Sequence, residues 1–126
     1  MVTVTPKEAL DRMAQGAVYL DVRSEPEFAE GRPKGAVNVP WLRFAARGLE
    51  KNPDFASAVK ARLDVDASIV VGCRSGGRAA SAAEALLREG YANLAVCRAG
   101  WDGVRDAFGS VVETGWLAEG LPVEAD

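Results

Sequence analysis

Apolar positions along the chain follow two rhythms, one helical and one strand-like. Thr5-Pro-Lys-Glu8 has the spacing of a helix capping box, with Pro6 at the first helical position. Ala9, Leu10 and Met13 then supply an apolar stripe, and Gly16 marks a stop. Ala17-Val-Tyr-Leu-Asp-Val22 is an apolar run of strand length. Ser24 and Glu27 repeat the capping-box spacing and predict a short helix through about Glu30. Gly31 to Gly35 reads as a loop, and Ala36-Val-Asn-Val39 as a second strand closed by Pro40. Asn52-Pro53 opens a helix whose Phe55, Val59 and Leu63 share one face. Ser68 to Gly72 is a third strand, apolar without alternation, as expected of a central strand covered on both sides. A helix follows from near Arg78 to Glu89, with Gly90 as its stop, and Asn93 to Cys97 forms the next strand. Beyond Ala99 the pattern weakens to helix-compatible pieces. There is no internal repeat and no low-complexity segment.

Strands alternating with helices predict an α/β class with a mostly parallel sheet. The 126 residues suit one domain, 1–126. Hydrophobic residues at 48% and charged residues at 26% are a globular composition. A net charge of −3 speaks against a general nucleic-acid binder, which would be basic. No apolar stretch is long enough for a bilayer, and the opening Met-Val-Thr-Val lacks the regions of a signal peptide, so a cytoplasmic protein is expected. The two cysteines, Cys73 and Cys97, are too far apart for a CxxC pair, and a structural disulfide is not expected in a reducing compartment. With no histidine, a Cys-His dyad, a Ser-His-Asp triad and a histidine-ligated metal are excluded within the chain.

The chemistry concentrates at Cys73-Arg-Ser-Gly-Gly-Arg78, between a strand and a helix. In parallel sheets the ligand site lies beyond the carboxyl ends of the strands. A lone cysteine after a strand is by default a small buried hydrophobe. Its neighbours here shift the balance. Gly76 and Gly77 allow a tight turn that points backbone N–H groups inward, the helix start adds its own unpaired donors, and Arg74 and Arg78 add cations. Such a ring predicts an ionised thiolate at neutral pH and a cradle for an anion. Sulfur transfer needs little more: a thiolate attacks a sulfur atom, sulfite or another good leaving group departs, and a persulfide remains.

The Cys73 loop resembles the C-x-x-G-x-R active loop of rhodanese-like sulfurtransferases. Leu20-Asp-Val-Arg23, Glu27-Phe28, Gly31 and Gly35-Ala-Val-Asn-Val-Pro40 are similar to that family's amino-terminal signature, and Gly120-Leu-Pro-Val123 to its ending. The resemblance implies a rhodanese-like fold, a five-stranded mostly parallel sheet with helices on both faces. It implies Cys73 as the persulfide-carrying nucleophile, with the backbone N–H groups of Arg74, Ser75, Gly76, Gly77 and Arg78 cradling the outer sulfur. The Arg74 and Arg78 side chains would attract thiosulfate or a similar anion. The implied donor is a small anionic sulfur compound or a protein persulfide, and the implied acceptor a thiol or cyanide, with no metal or organic cofactor. The chain departs from the family pattern in three places. Gly31-Arg32-Pro33 replaces Gly-His-Ile, Ala79 stands where a serine or threonine is common, and 101–116 reads as an insertion near the rim, preceded by Ala99 in place of a glycine.

Other residues have structural readings first. Asp21 and Arg23 are expected to satisfy loop groups, with Glu27 close enough in sequence to pair with Arg23. Cys97 is expected in the core. Trp41, Trp101 and Trp116 could line the pocket mouth, with packing as the default. Arg43 and Arg47 read as solvated charges on a surface loop or helix. Two competing functions remain. A cysteine-dependent phosphatase or arsenate reductase would want C-x5-R, one residue longer than this loop, and a general acid. A noncatalytic binding module or sulfur relay would use the fold for protein contacts.

Overall fold

The computed structural model describes residues 1–126. Its elements run β1 (Val2–Val4), α1 (Pro6–Ala14), β2 (Val18–Asp21), α2 (Glu25–Glu30), β3 (Arg32–Pro33), β4 (Val37–Asn38), β5 (Leu42–Ala45), β6 (Gly48–Lys51), α3 (Phe55–Arg62), β7 (Ile69–Gly72), α4 (Gly77–Arg88), β8 (Leu94–Cys97), β9 (Val104–Arg105), β10 (Val111–Glu113) and β11 (Val123–Glu124). Five strands form a wholly parallel sheet in the order β1-β8-β7-β2-β4. The α/β class and the five-stranded sheet therefore match expectation.

The sheet divides the apolar core, because successive strand residues point to opposite faces. Leu20, Ile69, Val71, Leu94 and Val96 pack with Phe55 and Val59 of α3 and Ala82, Ala83 and Leu86 of α4. Tyr19, Val70, Ala95 and Cys97 pack on the other face with Ala9 of α1 and the fully buried Trp116. β7 lies in the middle and is buried along its whole length, which explains its unbroken apolar run.

Both expected capping boxes form. Thr5 Oγ1 accepts from the Glu8 amide while Glu8 accepts from the Thr5 amide, and Ser24 and Glu27 do the same. Each cap is worth about 1 kcal/mol. Elsewhere the structure corrects the reading. Val2–Val4 is an edge strand beside β8. The segment from Leu42 to Lys51, which holds Arg43 and Arg47, is an antiparallel hairpin rather than a loop or helix. Asn52 does not start α3; its carboxamide bridges the Asp54 amide and the Pro40 carbonyl, and the helix begins at Phe55. The predicted loop at Gly31 to Gly35 contains β3, which pairs with β11 and so ties the chain's end to the α2 exit. The region after Ala99 holds no helix. Gly100 and Gly103 turn it with positive φ, and β9 and β10 form a second hairpin.

Candidate active site

Four chain segments meet at the carboxyl end of the sheet. The first is the turn after β7. Cys73 is 2% exposed, and its Sγ accepts from the Gly76 amide at 3.0 Å and the Ala79 amide at 3.3 Å. Gly76 makes this possible: it adopts φ +99°, and a Cβ there would lie 2.6 Å from the Arg98 carbonyl oxygen. The turn leads straight into α4, so the Ala79 amide, in the helix's first turn, reaches the sulfur without an intrahelical partner. Ala79, noted in sequence only as a missing hydroxyl, contributes its N–H.

The second segment runs from Ala99 to Asp102 and braces the first. The Trp101 amide donates to the Cys73 carbonyl and the Asp102 amide to the Arg74 carbonyl, both at 2.9 Å. The approach is so close that a Cβ on Gly100 would stand 2.3 Å from the Cys73 oxygen.

The third and fourth segments are the ends of β2 and α2. Asp21 and Arg23 form a buried ion pair, with Arg23 Nη2 at 2.7 Å from Asp21 Oδ2 and Nε at 3.0 Å from both carboxylate oxygens. Arg23 also donates to the Gly31 carbonyl, and the Trp101 ring covers its guanidinium at 5.0 Å. Removing either partner of a desolvated pair would strand a buried charge. The structural role expected for both residues holds, with one correction: Arg23 pairs with Asp21, not with Glu27.

Glu27 instead reaches the cysteine loop. Its capping box fixes its carboxylate, which accepts from Arg78 Nη1 at 2.8 Å and Nη2 at 3.2 Å. The Arg78 bonds, reinforced by the Ser24 amide and hydroxyl, hold the Glu27 carboxyl down to about 2 despite partial burial. The same contact raises Arg78. Arg74, on the other side of the turn, is held by Asp102, and this contact raises Arg74. Both loop cations are therefore already paired with a carboxylate, an arrangement that the spacing of charges along the chain did not disclose.

Ser75 is exposed, and Gly77 has no heavy atom within 4 Å of where a Cβ would be. A cavity of about 640 Å³ opens beside the turn, walled by Arg23, Glu27, Arg74, Trp101, Asp102 and Leu117. Of the three tryptophans only Trp101 lines it. Trp116 is core, edge-on to Tyr19 and bonded to the Pro122 carbonyl, and Trp41 packs edge-on against Phe55. Cys97 is fully buried, where desolvation pushes its thiol up to about 11. Asp102 was the functional candidate missed in sequence. Its one signal was position, immediately after Trp101 in the segment read as an insertion at the rim.

Chemically, the turn presents amide donors to one sulfur atom and offers no imidazole. It is suited to holding negative charge on that sulfur or on an atom bonded to it.

Residues 5–107 match the rhodanese-like domain model, and the chain belongs to that family. It is 38% identical over 123 residues to thiosulfate sulfurtransferase 16, chloroplastic, of Arabidopsis thaliana, a match covering 98% of this chain and 92% of that protein. It is 33% identical over 103 residues to thiosulfate sulfurtransferase GlpE of Haemophilus influenzae, covering 79% of this chain and 84% of the relative. Three further plant relatives are longer, and the matches span 61% or 62% of their length. Among solved structures, a crystal structure of an M. tuberculosis protein superposes with a TM-score of 0.79 at 30% identity, covering 100% of this chain and 98% of that one. No helix is long and apolar enough to cross a membrane.

Proposed function

We propose that the chain, acting as one unit over residues 1–126, is a sulfurtransferase that carries a sulfane sulfur as a persulfide on Cys73. The observation that carries this reading is the pair of amides, from Gly76 and Ala79, converging on Cys73 Sγ. The Cys73 thiolate attacks the outer sulfur of thiosulfate, the S–S bond breaks, and sulfite leaves with the bonding pair and needs no proton. Cyanide or a thiolate then attacks the outer sulfur of the persulfide, and the Cys73 thiolate is the leaving group. The backbone N–H groups from Arg74, Ser75, Gly76, Gly77 and Arg78 hold the transferred sulfur, and Arg74 and Arg78, each already paired with a carboxylate, are the loop cations available to the anionic end of the donor. A protein persulfide is a second donor of the same chemistry. A reducing compartment such as the cytoplasm suits a chain whose two cysteines are both free.

Intact-protein mass spectrometry after mixing with thiosulfate tests this. The native chain should gain one sulfur atom and lose it to cyanide, and Cys73→Ser should gain none. Loading of Cys73→Ser would overturn the assignment of the nucleophile. Failure of the native chain to load from thiosulfate and from a low-molecular-weight persulfide alike would overturn the reaction.

A further inference from the structure

The two arginines beside Cys73 are not held alike. Arg78 is a quarter exposed and forks onto Glu27, whose carboxylate is fixed by the α2 cap. Arg74 is 64% exposed, and its one side-chain partner is Asp102, itself 34% exposed. Asp102 is in turn anchored through its backbone, by its amide on the Arg74 carbonyl. The carboxylate is therefore stationed against the guanidinium by the same turn that braces the cysteine loop. The pair stands in the wall common to the cavity of about 640 Å³ and a neighbouring one of about 410 Å³. The other cation of the larger cavity, Arg23, is spent on Asp21, whereas Glu30, also in that wall, has no cationic partner. A donor arriving there meets net negative charge.

We propose that Asp102 is a positioning residue that withholds Arg74 from the donor and so turns the site from doubly charged thiosulfate toward persulfides of low charge. The proposal rests on the sulfurtransferase reading above. The Asp102 carboxylate holds Arg74 Nε and offsets the guanidinium's charge, so thiosulfate gains little from Arg74, while its two negative charges add to the unbalanced charge of Glu30 in the cavity wall. A persulfide R–S–SH brings no sulfonate: the Cys73 thiolate takes its outer sulfur together with that sulfur's proton, the S–S bond breaks, and RS⁻ departs. This reaction uses the backbone cradle and draws little from Arg74.

The test is steady-state kinetics with thiosulfate and with the persulfide of 2-mercaptoethanol, cyanide being the acceptor in both. For Asp102→Ala, kcat/KM for thiosulfate relative to that for the persulfide should rise about tenfold, the size of a charge-assisted contact regained, chiefly through a lower thiosulfate KM. Asp102→Asn, which keeps the side-chain volume, should move the ratio the same way by less. Arg74→Gln decides whether the effect passes through Arg74. Asp102→Ala added to Arg74→Gln should give no further gain, whereas simple removal of a repelling charge would still lower the thiosulfate KM. An unchanged ratio in both Asp102 variants, or a gain that survives Arg74→Gln, overturns the proposal while leaving the sulfurtransferase reading intact. If no variant and not the native chain turns over either donor, it is that reading which fails.

Discussion

Cys73 directly follows β7 and Cys97 ends β8, adjacent strands of the same sheet, with Gly72 of β7 in register with Cys97 of β8. Both are unpaired, and both are almost wholly buried, at 2% and 0% exposure. Their surroundings separate them. After Cys73 the chain turns through Gly76 into α4 and directs two amides at Sγ. After Cys97 it turns through Gly100, and the next amides brace the first turn instead, at the Cys73 and Arg74 carbonyls. Cys97 is left among Val4, Ala9, Tyr19 and Trp116, where burial raises its thiol against the smaller opposing effect of the Gly100 amide and the Tyr19 hydroxyl. A strand end and a cysteine thus do not suffice for a reactive site. The turn beyond the cysteine decides how many backbone donors reach the sulfur: two amides at Cys73, and at Cys97 only the Gly100 amide, which burial outweighs.

The largest effect that could break this comparison is an exchange of roles. Cys97→Ala should still load one sulfur from thiosulfate, whereas Cys73→Ser should load none; mass spectrometry reads both, and loss of loading in Cys97→Ala would make the second cysteine a participant. Next in size is Gly76→Ala. A Cβ there meets the Arg98 carbonyl and forces an alanine into a left-handed conformation, a strain of about 1–3 kcal/mol. Misdirected amides should lower the rate of persulfide formation about a hundredfold, as loss of a preorganised donor does elsewhere. Gly77→Ala, where the space is open, should change the thermal midpoint little, by about 0.5 kcal/mol or less in stability. Equal destabilisation by the two alanines would mean that the turn's shape does not depend on Gly76.

The contrast also explains what could be read in advance. β7 and β8 are apolar runs because both faces are covered, and two helix starts were legible because capping is local. The cysteine loop was legible for the same reason: its glycines and cations lie within six residues. β1 went unread because its identity is a pairing; three residues with Val2 half exposed carry no pattern of their own. All four residues of β6 are exposed, so the first hairpin rests on its ladder and not on an apolar face. The site's charge balance was hidden by distance. Glu27 and Arg78 lie 51 residues apart and Arg74 and Asp102 28 apart, so only the folded sheet brings each pair together.

A third experiment sharpens the difference at alkaline pH. The Cys97 thiol is raised from 9.0 to about 11 by burial, so the unfolded chain loses this proton before the folded one does. Its contribution to stability is complete below pH about 9 and falls away as pH rises toward 11. The window corresponds to about 2–3 kcal/mol. Denaturant melts between pH 8 and 10.5 should therefore slope downward more gently in Cys97→Ala than in the native chain. The Ala variant must be compared with itself across pH, since the small cavity it leaves lowers stability at every pH.

The smallest effect concerns what secures the Cys73 turn from outside. Glu27 is lowered from 4.5 to about 2, first by Arg78 and then, burial opposing, by Ser24. A depressed carboxyl stabilises the fold above its unfolded value, and that contribution disappears as pH falls through about 2. The side chains are about a quarter exposed, so solvent screening reduces the contribution to about 1 kcal/mol. Glu27→Gln should lose that amount at neutral pH and show a flatter acid limb between pH 4.5 and 2. It keeps a side-chain oxygen for the Ser24 amide, so α2 should still start at Glu25. What it loses is the charge facing Arg78, and with it one of the two anchors of the first turn of α4. Replacing the Cys97 thiol leaves every carboxylate pair in place, the Arg98–Glu113 pair beside it included, so the same acid titration of Cys97→Ala should run parallel to that of the native chain. If Glu27→Gln also runs parallel, the Arg78 contact contributes nothing to stability, and the turn is held by the backbone brace from Trp101 and Asp102 alone.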